Sequence, residues 1–289
     1  MTDVAAQHDE LRPLVFSIAY RMLGSVVEAE DVTQEAFLRL HRDTTEAASP
    51  EAYATTVTVR LAIDHLRSAR VRRERYVGSW LPEPLLTTGE EFDPAARAET
   101  DESLSVAFLA VLERLSPVQR AVFLLREVFE YDYGQIAAIV AKSPQTCRQI
   151  LVRARARIEQ ARPRFTVTPA ERDSLAERFF AACRDGDLAG LERLLAEHVE
   201  FHGDGGGKAP AVRKPVAGRV QVARFMLGLM RQARHNALRM EPVAVNGQPG
   251  ARVVDAEGHT LSVMALDIAD GHVRGVYNML NPDKLRHLP

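Results

Sequence analysis

The chain has 289 residues, 46% of them hydrophobic and 26% charged, with a formal net charge of −2. That length accommodates two domains with cores of their own, and the near-neutral balance excludes a diffusely basic nucleic-acid coat, so any DNA contact must come from local patches. The only cysteines, Cys147 and Cys183, exclude a disulfide framework and zinc-ligand spacing, and no metal or cofactor is expected.

The N-terminal MTDVAAQHDELRPL lacks a basic stretch followed by an apolar run, and no later segment approaches a membrane span. The expectation is a cytoplasmic protein without a membrane partner. Leu11, Leu14, Val15, Ile18, Met22 and Leu23 recur at helical spacing, with Gly24 where a C-cap belongs. A second helix is predicted over Val27 to His41, with Glu28, Glu30 and Asp31 complementing its dipole. Ser49 and Pro50 read as N-cap and first residue of a third helix. It runs into RLAIDHLRSARVRRERY, Arg60 to Tyr76, which carries six arginines against Asp64 and Glu74. Tyr53, His65 and Tyr76 accompany them. Basic residues beside aromatic ones suit unpaired nucleic-acid strands, although duplex phosphate binding would use the same composition. These three helices predict an all-α unit over residues 1–76.

Residues 77–102 hold Trp80, three prolines, two glycines and seven acids (Glu83, Glu90, Glu91, Asp93, Glu99, Asp101, Glu102) against Arg97 alone. By composition they form an acidic linker. A second all-α unit is predicted over residues 103–163. Leu104, Phe108, Val111, Leu112 and Leu115 restore helical spacing, and Ser116-Pro-Val-Gln119 and Asp132-Tyr-Gly-Gln135 have the form of capping boxes. Ser143-Pro144 opens a longer arginine-rich helix. Short helix, tight turn and basic helix make a helix-turn-helix pattern. On that last helix Ile150, Leu151, Ala154 and Ile158 suit a core. Gln145, Gln149 and Arg153, with Arg148 beside them, form a stripe chemically suited to reading adenine and guanine. Arg155, Arg157 and Arg162 suit phosphates.

From about residue 170 to 289 the grammar changes again. Helices are predicted near Ala170–Arg184, Leu188–Leu195 and Val220–Arg234, followed by alternating strands with turns at Asn246-Gly247, Glu257-Gly258 and Asp270-Gly271. This is an α+β domain.

EDVTQEAFLRLH (Glu30 to His41) with the Arg60–Tyr76 helix resembles region two of bacterial sigma factors. Leu112 to Ile158 resembles region four, and the lack of a long intervening region matches the extracytoplasmic-function class. The resemblance implies that Asp31, Gln34, Glu35 and Leu38 dock on core RNA polymerase, whose β′ clamp and β flap are the expected partner surfaces. It implies that Arg60, Asp64, Arg67, Arg70, Arg72 and Arg73 meet the −10 element of promoter DNA, with Arg60 standing where many relatives carry Asn. Gln145, Thr146, Arg148, Gln149 and Arg153 are the implied −35 readers.

The extension after region four resembles the SnoaL-like fold, a cone of curved antiparallel sheet and helices, through its element order and three short motifs: WLPEP from Trp80, DGGGK from Asp204 and NPDKL from Asn281. Together they resemble the sigma factor subgroup with a C-terminal SnoaL-like domain. The resemblance implies regulatory contacts through Trp80, Leu81, Pro82, Asp204, Gly205, Gly206, Gly207, Lys208, Asn281, Pro282, Asp283, Lys284 and Leu285. The glycine run is no P-loop, lacking the flanking glycine spacing and a hydroxyl residue after Lys208. SnoaL-like enzymes use acid/base groups inside the cone, which makes His202, Asp204, His259, Asp267 and Tyr277 candidates. Phe201, Phe225, Met226, Met230, Met264 and Met279 could line a small-molecule site. No acid/base pair stands out by spacing, so no catalytic residue is assigned.

The expected protein is multidomain: two all-α sigma domains and an α+β SnoaL-like cone that modulates promoter-directed initiation in cis. The alternative is a helix-turn-helix regulator fused to a ligand-sensing cone and working without core polymerase. A cyclase or isomerase with a DNA-binding appendage is a third reading.

Overall fold

The computed structural model describes residues 4–42, 49–73, 76–87, 103–159 and 168–288. Arg75, Arg162 and the acids from Glu90 to Glu102 lie outside the described residues, as do the side chains of Arg70, Arg72 and Arg73. Contacts divide the chain into Met1–Arg75 with Val111–Pro163, and Tyr76–Ala110 with Arg164–Pro289.

The first unit is helical. Helix α1 (Val4–Leu23) buries Leu11, Val15, Ile18 and Met22, and Gly24 closes it with φ +66°. Helix α2 (Val26–Arg42) is capped by Ser25, whose Oγ accepts from the Glu28 amide at 3.2 Å. Helix α3 (Pro50–Arg73) starts at Ser49, whose Oγ accepts from the Ala52 amide at 3.2 Å. Leu11, Val15, Ala36 and Ala54 knit the three together. After α4 (Val106–Leu112) come α5 (Pro117–Glu127) and α6 (Tyr133–Val140), both opened by complete capping boxes, at Ser116 with Gln119 and at Asp132 with Gln135. Each box satisfies two backbone donors that a helix start would otherwise leave unpaired. Helix α7 (Pro144–Glu159) follows a turn that Ala141 makes at φ +52°. Cys147, Leu151 and Ala154 form its buried stripe, with Ile150 and Ile158 at the margin.

The second unit opens with α8 (Pro169–Asp185) and α9 (Leu188–Leu194). Strand β1 (Leu195–Asp204), the short β2 (Val216–Ala217) and α10 (Arg219–His235) come next. The meander β3 (Arg239–Val245), β4 (Gln248–Val254), β5 (Thr260–Ala269) and β6 (His272–Met279) completes the sheet, in order β2-β1-β6-β5-β4-β3. The sheet is mixed where an antiparallel one was expected: β1 runs parallel to β6, because α10 and the meander intervene before the chain returns beside β1. Asn246-Gly247 and Asp270-Gly271 make two-residue turns with both φ positive, the geometry that matches strand twist.

One sheet face packs on the helices through Phe179, Phe180, Leu191, Phe201, Met226, Met264 and Val276. The other face is also covered. Val245, Val263, Ala265 and Met279 pack with Leu81, Val106 and Leu285, so both flanks of the acidic segment belong to this domain's core. Hydrophobic burial is the physical reason that residues 103–110 group with the SnoaL-like fold instead of with the helix-turn-helix.

Candidate functional site

On α2 the buried residues Ala29, Val32, Thr33 and Ala36 turn the opposite stripe outward. Asp31 and Gln34 are exposed, Leu38 is 51% exposed, and the Glu35 carboxylate accepts from Arg39 Nε at 2.8 Å. Val27, 52% exposed, extends this stripe and was missed by sequence reading, which started the helix at that residue. An acidic stripe with apolar ends suits a basic protein surface that also offers an apolar contact.

On α3, Asp64 and Arg67 pair with each other at 3.0 Å on the exposed face. Arg60 does something the sequence did not indicate. Its Nε donates to the Ile139 carbonyl and its Nη2 to the Ala138 carbonyl, both at 3.0 Å. These are carbonyls at the C-terminus of α6, where a helix end carries partial negative charge and lacks donors. The Thr55 hydroxyl lies 3.0 Å from the Tyr131 hydroxyl on the same side of α3. Arg120, 3% exposed, donates to the carbonyls of Met22 at 2.7 Å and Leu112 at 2.8 Å, and lies 2.7 Å from Glu113. The two helical halves of the first unit are thus cross-tied by two arginines at helix C-termini.

On α7 the candidate readers divide by what already holds them. Gln145, Gln149 and Arg153 are exposed, with no side-chain hydrogen bond among the described residues. The Thr146 hydroxyl sits 2.8 Å from Ser143 Oγ, which also accepts the Thr146 amide at 3.1 Å, so Thr146 helps to cap the helix. Arg148 lies 4.8 Å above the Tyr133 ring, and Arg126 lies 5.2 Å from the same ring. Arg155 is held by Glu127 and Arg157 by Gln119. These four arginines are pre-oriented, which lowers the ordering cost of meeting a phosphate or base.

The three short motifs converge on one carboxylate. Asp204, fully buried at the end of β1, accepts at Oδ1 from the Tyr76 hydroxyl (2.5 Å) and the Gly206 amide (3.1 Å). At Oδ2 it accepts from the Leu81 amide and from Lys284 Nζ, both at 2.8 Å. Lys284, 6% exposed, also donates to the Leu81 carbonyl and lies 4.1 Å from the Trp80 ring and 5.1 Å from the Tyr76 ring. Such a saturated set of donors and π faces is what a buried ion pair needs to offset its desolvation. Burial first, and then the hydrogen bond to Asp204, holds the Tyr76 phenol above its usual range.

Around this centre Asn281 Nδ2 donates to the Tyr76 hydroxyl at 2.9 Å, and its Oδ1 accepts from the Asp283 amide. Lys208 pairs with Asp283, whose carboxyl that hydrogen bond holds below its usual range. Gly206 has φ +58°, and a Cβ there would lie 2.2 Å from Asn281 Nδ2 and 3.0 Å from the Tyr76 hydroxyl. The glycine run therefore serves close approach of the tail, a use of bare backbone unrelated to phosphate binding. Tyr76 follows α3 and belongs to this centre, not to a stacking surface on the arginine helix.

A second anchor escaped sequence reading altogether. Asn246, fully buried at φ +53°, accepts from the Leu85 amide at Oδ1 and donates from Nδ2 to the Leu104 carbonyl, both at 3.0 Å. Its own amide donates to the Leu85 carbonyl at 2.8 Å, Thr87 N donates to the Ala244 carbonyl at 2.9 Å, and Leu86 bridges Val245. Asn-Gly reads as a turn signal, and nothing in that dipeptide announces a second role.

The acid/base candidates do not line the helix-covered face. His202 stacks on Tyr277 at 5.1 Å, and Tyr277 packs with the linker-side cluster, as does Met279. His259 pairs with Asp255 at 3.1 Å beside the β4–β5 turn. Phe201, Met226, Met230 and Met264 are core, with Phe225 against them. Asn278, whose strand neighbours Val276 and Met264 belong to that core, is 5% exposed and its Oδ1 lacks a partner among the described residues.

The chain matches sigma-70 region 2 over residues 8–72, sigma-70 region 4 over 105–158 and a SnoaL-like domain over 176–276. It is 36% identical to the ECF RNA polymerase sigma factor SigJ of Mycobacterium tuberculosis, over 98% of this chain and 94% of that one. It is 34% identical to the probable ECF RNA polymerase sigma factor SigI of the same species, over 97% and 96%. The crystal structure of M. tuberculosis SigJ superimposes with a TM-score of 0.80 at 34% identity, covering 98% of each chain.

Proposed function

This chain belongs to the extracytoplasmic-function class of RNA polymerase sigma factors, which direct the polymerase to promoters, and on that footing we propose that its SnoaL-like domain restrains initiation in cis by holding the segment that joins regions two and four. The observation that carries this reading is the Asp204–Lys284 centre. It gathers Tyr76, Trp80 and Leu81 from the joining segment, Gly206 from the glycine run and Asn281 from the tail onto one buried ion pair.

The cross-ties within the first unit support the same reading. The −10 and −35 elements are separate sites along one duplex, and each intervening base pair adds about 3.4 Å along its axis. Arg60 on the end of α6 and Arg120 on the end of α1 instead hold the two regions against each other. Initiation then requires these ties to break and the joining segment to lengthen. In the open state Asp64, Arg67, Arg70, Arg72 and Arg73 meet the −10 element, and Arg60 joins them once it leaves α6. Gln145, Gln149 and Arg153 read the −35 element with Arg148, and the Asp31–Leu38 stripe docks on the β′ clamp of a polymerase in the cytoplasm. Among the described residues no helix is long and apolar enough to cross a membrane.

We assign no turnover to the SnoaL-like domain, because His202 and Tyr277 sit on its linker-covered face and Asp204 is committed to structure. A small ligand in the cone is favoured by one observation, the unpartnered Asn278 Oδ1, and density beside it in crystals of cell-purified protein is the check.

Truncation before Asn281 removes Lys284 and is expected to raise run-off transcription at limiting sigma concentration. Unchanged or lower output from a folded truncated protein would overturn restraint in cis. Substituting Asp31 and Glu35 by alanine is expected to abolish binding to core polymerase with little change in stability, since both are surface groups. Retained core binding would return the reading to a helix-turn-helix regulator that acts alone.

A further inference from the structure

We infer that Asn246 is a positioning residue for initiation: its side chain ties the two ends of the acidic segment to one point and so withholds that segment's length from the path between regions two and four. The inference rests on the sigma factor reading and concerns residues outside the three motifs.

Leu85 and Leu104 both hydrogen-bond the side chain of Asn246, one at each end of its amide. Thr87 reinforces the first end, its amide on Ala244 and its hydroxyl accepting from the Gly247 amide at 3.1 Å. Val106, in the linker-side core, reinforces the second. Leu85 and Leu104 are therefore held at one residue, and the number of residues between them adds nothing to the separation of these two points. Released and extended, residues 88–102 would supply up to about 50 Å at roughly 3.3 Å per residue. Separating the two readers along the duplex needs added reach of this kind. A single amide is suited to the task because it donates to one end and accepts from the other, and its burial makes loss of either bond unfavourable.

Two variants test the tie. Asn246→Gly keeps a residue that tolerates φ +53° and deletes only the amide. Two ordinary buried hydrogen bonds correspond to roughly a tenfold shift in the released fraction, so run-off output at limiting sigma should rise by up to about tenfold. The opposite variant locks the tie. The flanking bonds from Thr87 to Ala244 and from Asn246 to Leu85 make Leu86 and Val245 a non-hydrogen-bonded antiparallel pair, with Cα atoms about 4.5 Å apart, within disulfide range. L86C with V245C, oxidised, should transcribe at least about tenfold less than the same protein after dithiothreitol. Cys147 and Cys183 are buried, so a thiol count reports the new bond. Output that is equal in oxidised and reduced protein, or an Asn246→Gly protein indistinguishable from wild type, overturns the inference. The sigma reading is scored separately, by whether the reduced protein and wild type support core-dependent transcription at all.

Discussion

Asp204→Ala is expected to destabilise the second unit by about 3–5 kcal/mol, the cost of leaving one member of a buried ion pair without its partner. The substitution strands the ammonium of Lys284 at 6% exposure and leaves the Leu81 amide without its acceptor. Lys284→Met is expected to cost less, because the carboxylate keeps three donors, from Tyr76, Leu81 and Gly206. Trp80 is the only tryptophan in the chain and lies 4.1 Å from Lys284 Nζ, so its fluorescence follows this centre directly during urea unfolding. A midpoint unchanged in Asp204→Ala would mean that the pair contributes nothing and that the three motifs meet there by packing alone.

Arg120→Ala is expected to cost the first unit about 3 kcal/mol, since it removes the side-chain donor from the buried Met22 carbonyl, one of two donors from the Leu112 carbonyl, and the cation beside Glu113. Here the Trp80 transition should stay where it is, while the loss of helical circular dichroism moves to lower urea. If both signals shift together, the two units do not unfold separately. Arg120 also joins α5 to the end of α1, so its loss should loosen the association of regions two and four and make Arg60 easier to release.

The helices were legible because their signals are local. Ser116 with Gln119, Asp132 with Gln135 and Ser49 with Pro50 each specify a helix start within a few residues, and the structure uses every one. Asn246-Gly247 and Asp270-Gly271 located hairpins for the same reason. The reading stripe on α7 is a matter of helical periodicity, whereas the stripe on α2 was implied by the resemblance to region two. What stayed hidden depends on partners distant in sequence. Arg60 looks like one more basic residue in a basic helix, and only folding brings it to Ala138 and Ile139. The acidic composition of residues 77–102 announced a linker and concealed that Leu81 is core and Leu86 packs against it. The motifs could be recognised as contacts, but not the Asp204–Lys284 pair at their centre, because the charge of a lysine near a C-terminus reads as solvated until its burial is known. The parallel placement of β1 beside β6 was likewise invisible, since strand periodicity carries no information about which strands become neighbours.

Asn246 receives both Leu85 and Leu104, so the number of residues between these two positions does not enter the packing of the described domain. Closing a longer loop is cheap, about 0.6 kcal/mol for each doubling of its length. Natural variants can therefore lengthen, shorten or recompose the stretch between them while the described domain stays the same. On the proposed release, the span available to the open protein would be set by the number of residues between Leu85 and Leu104, and the resting fold by the residues that Asn246 holds.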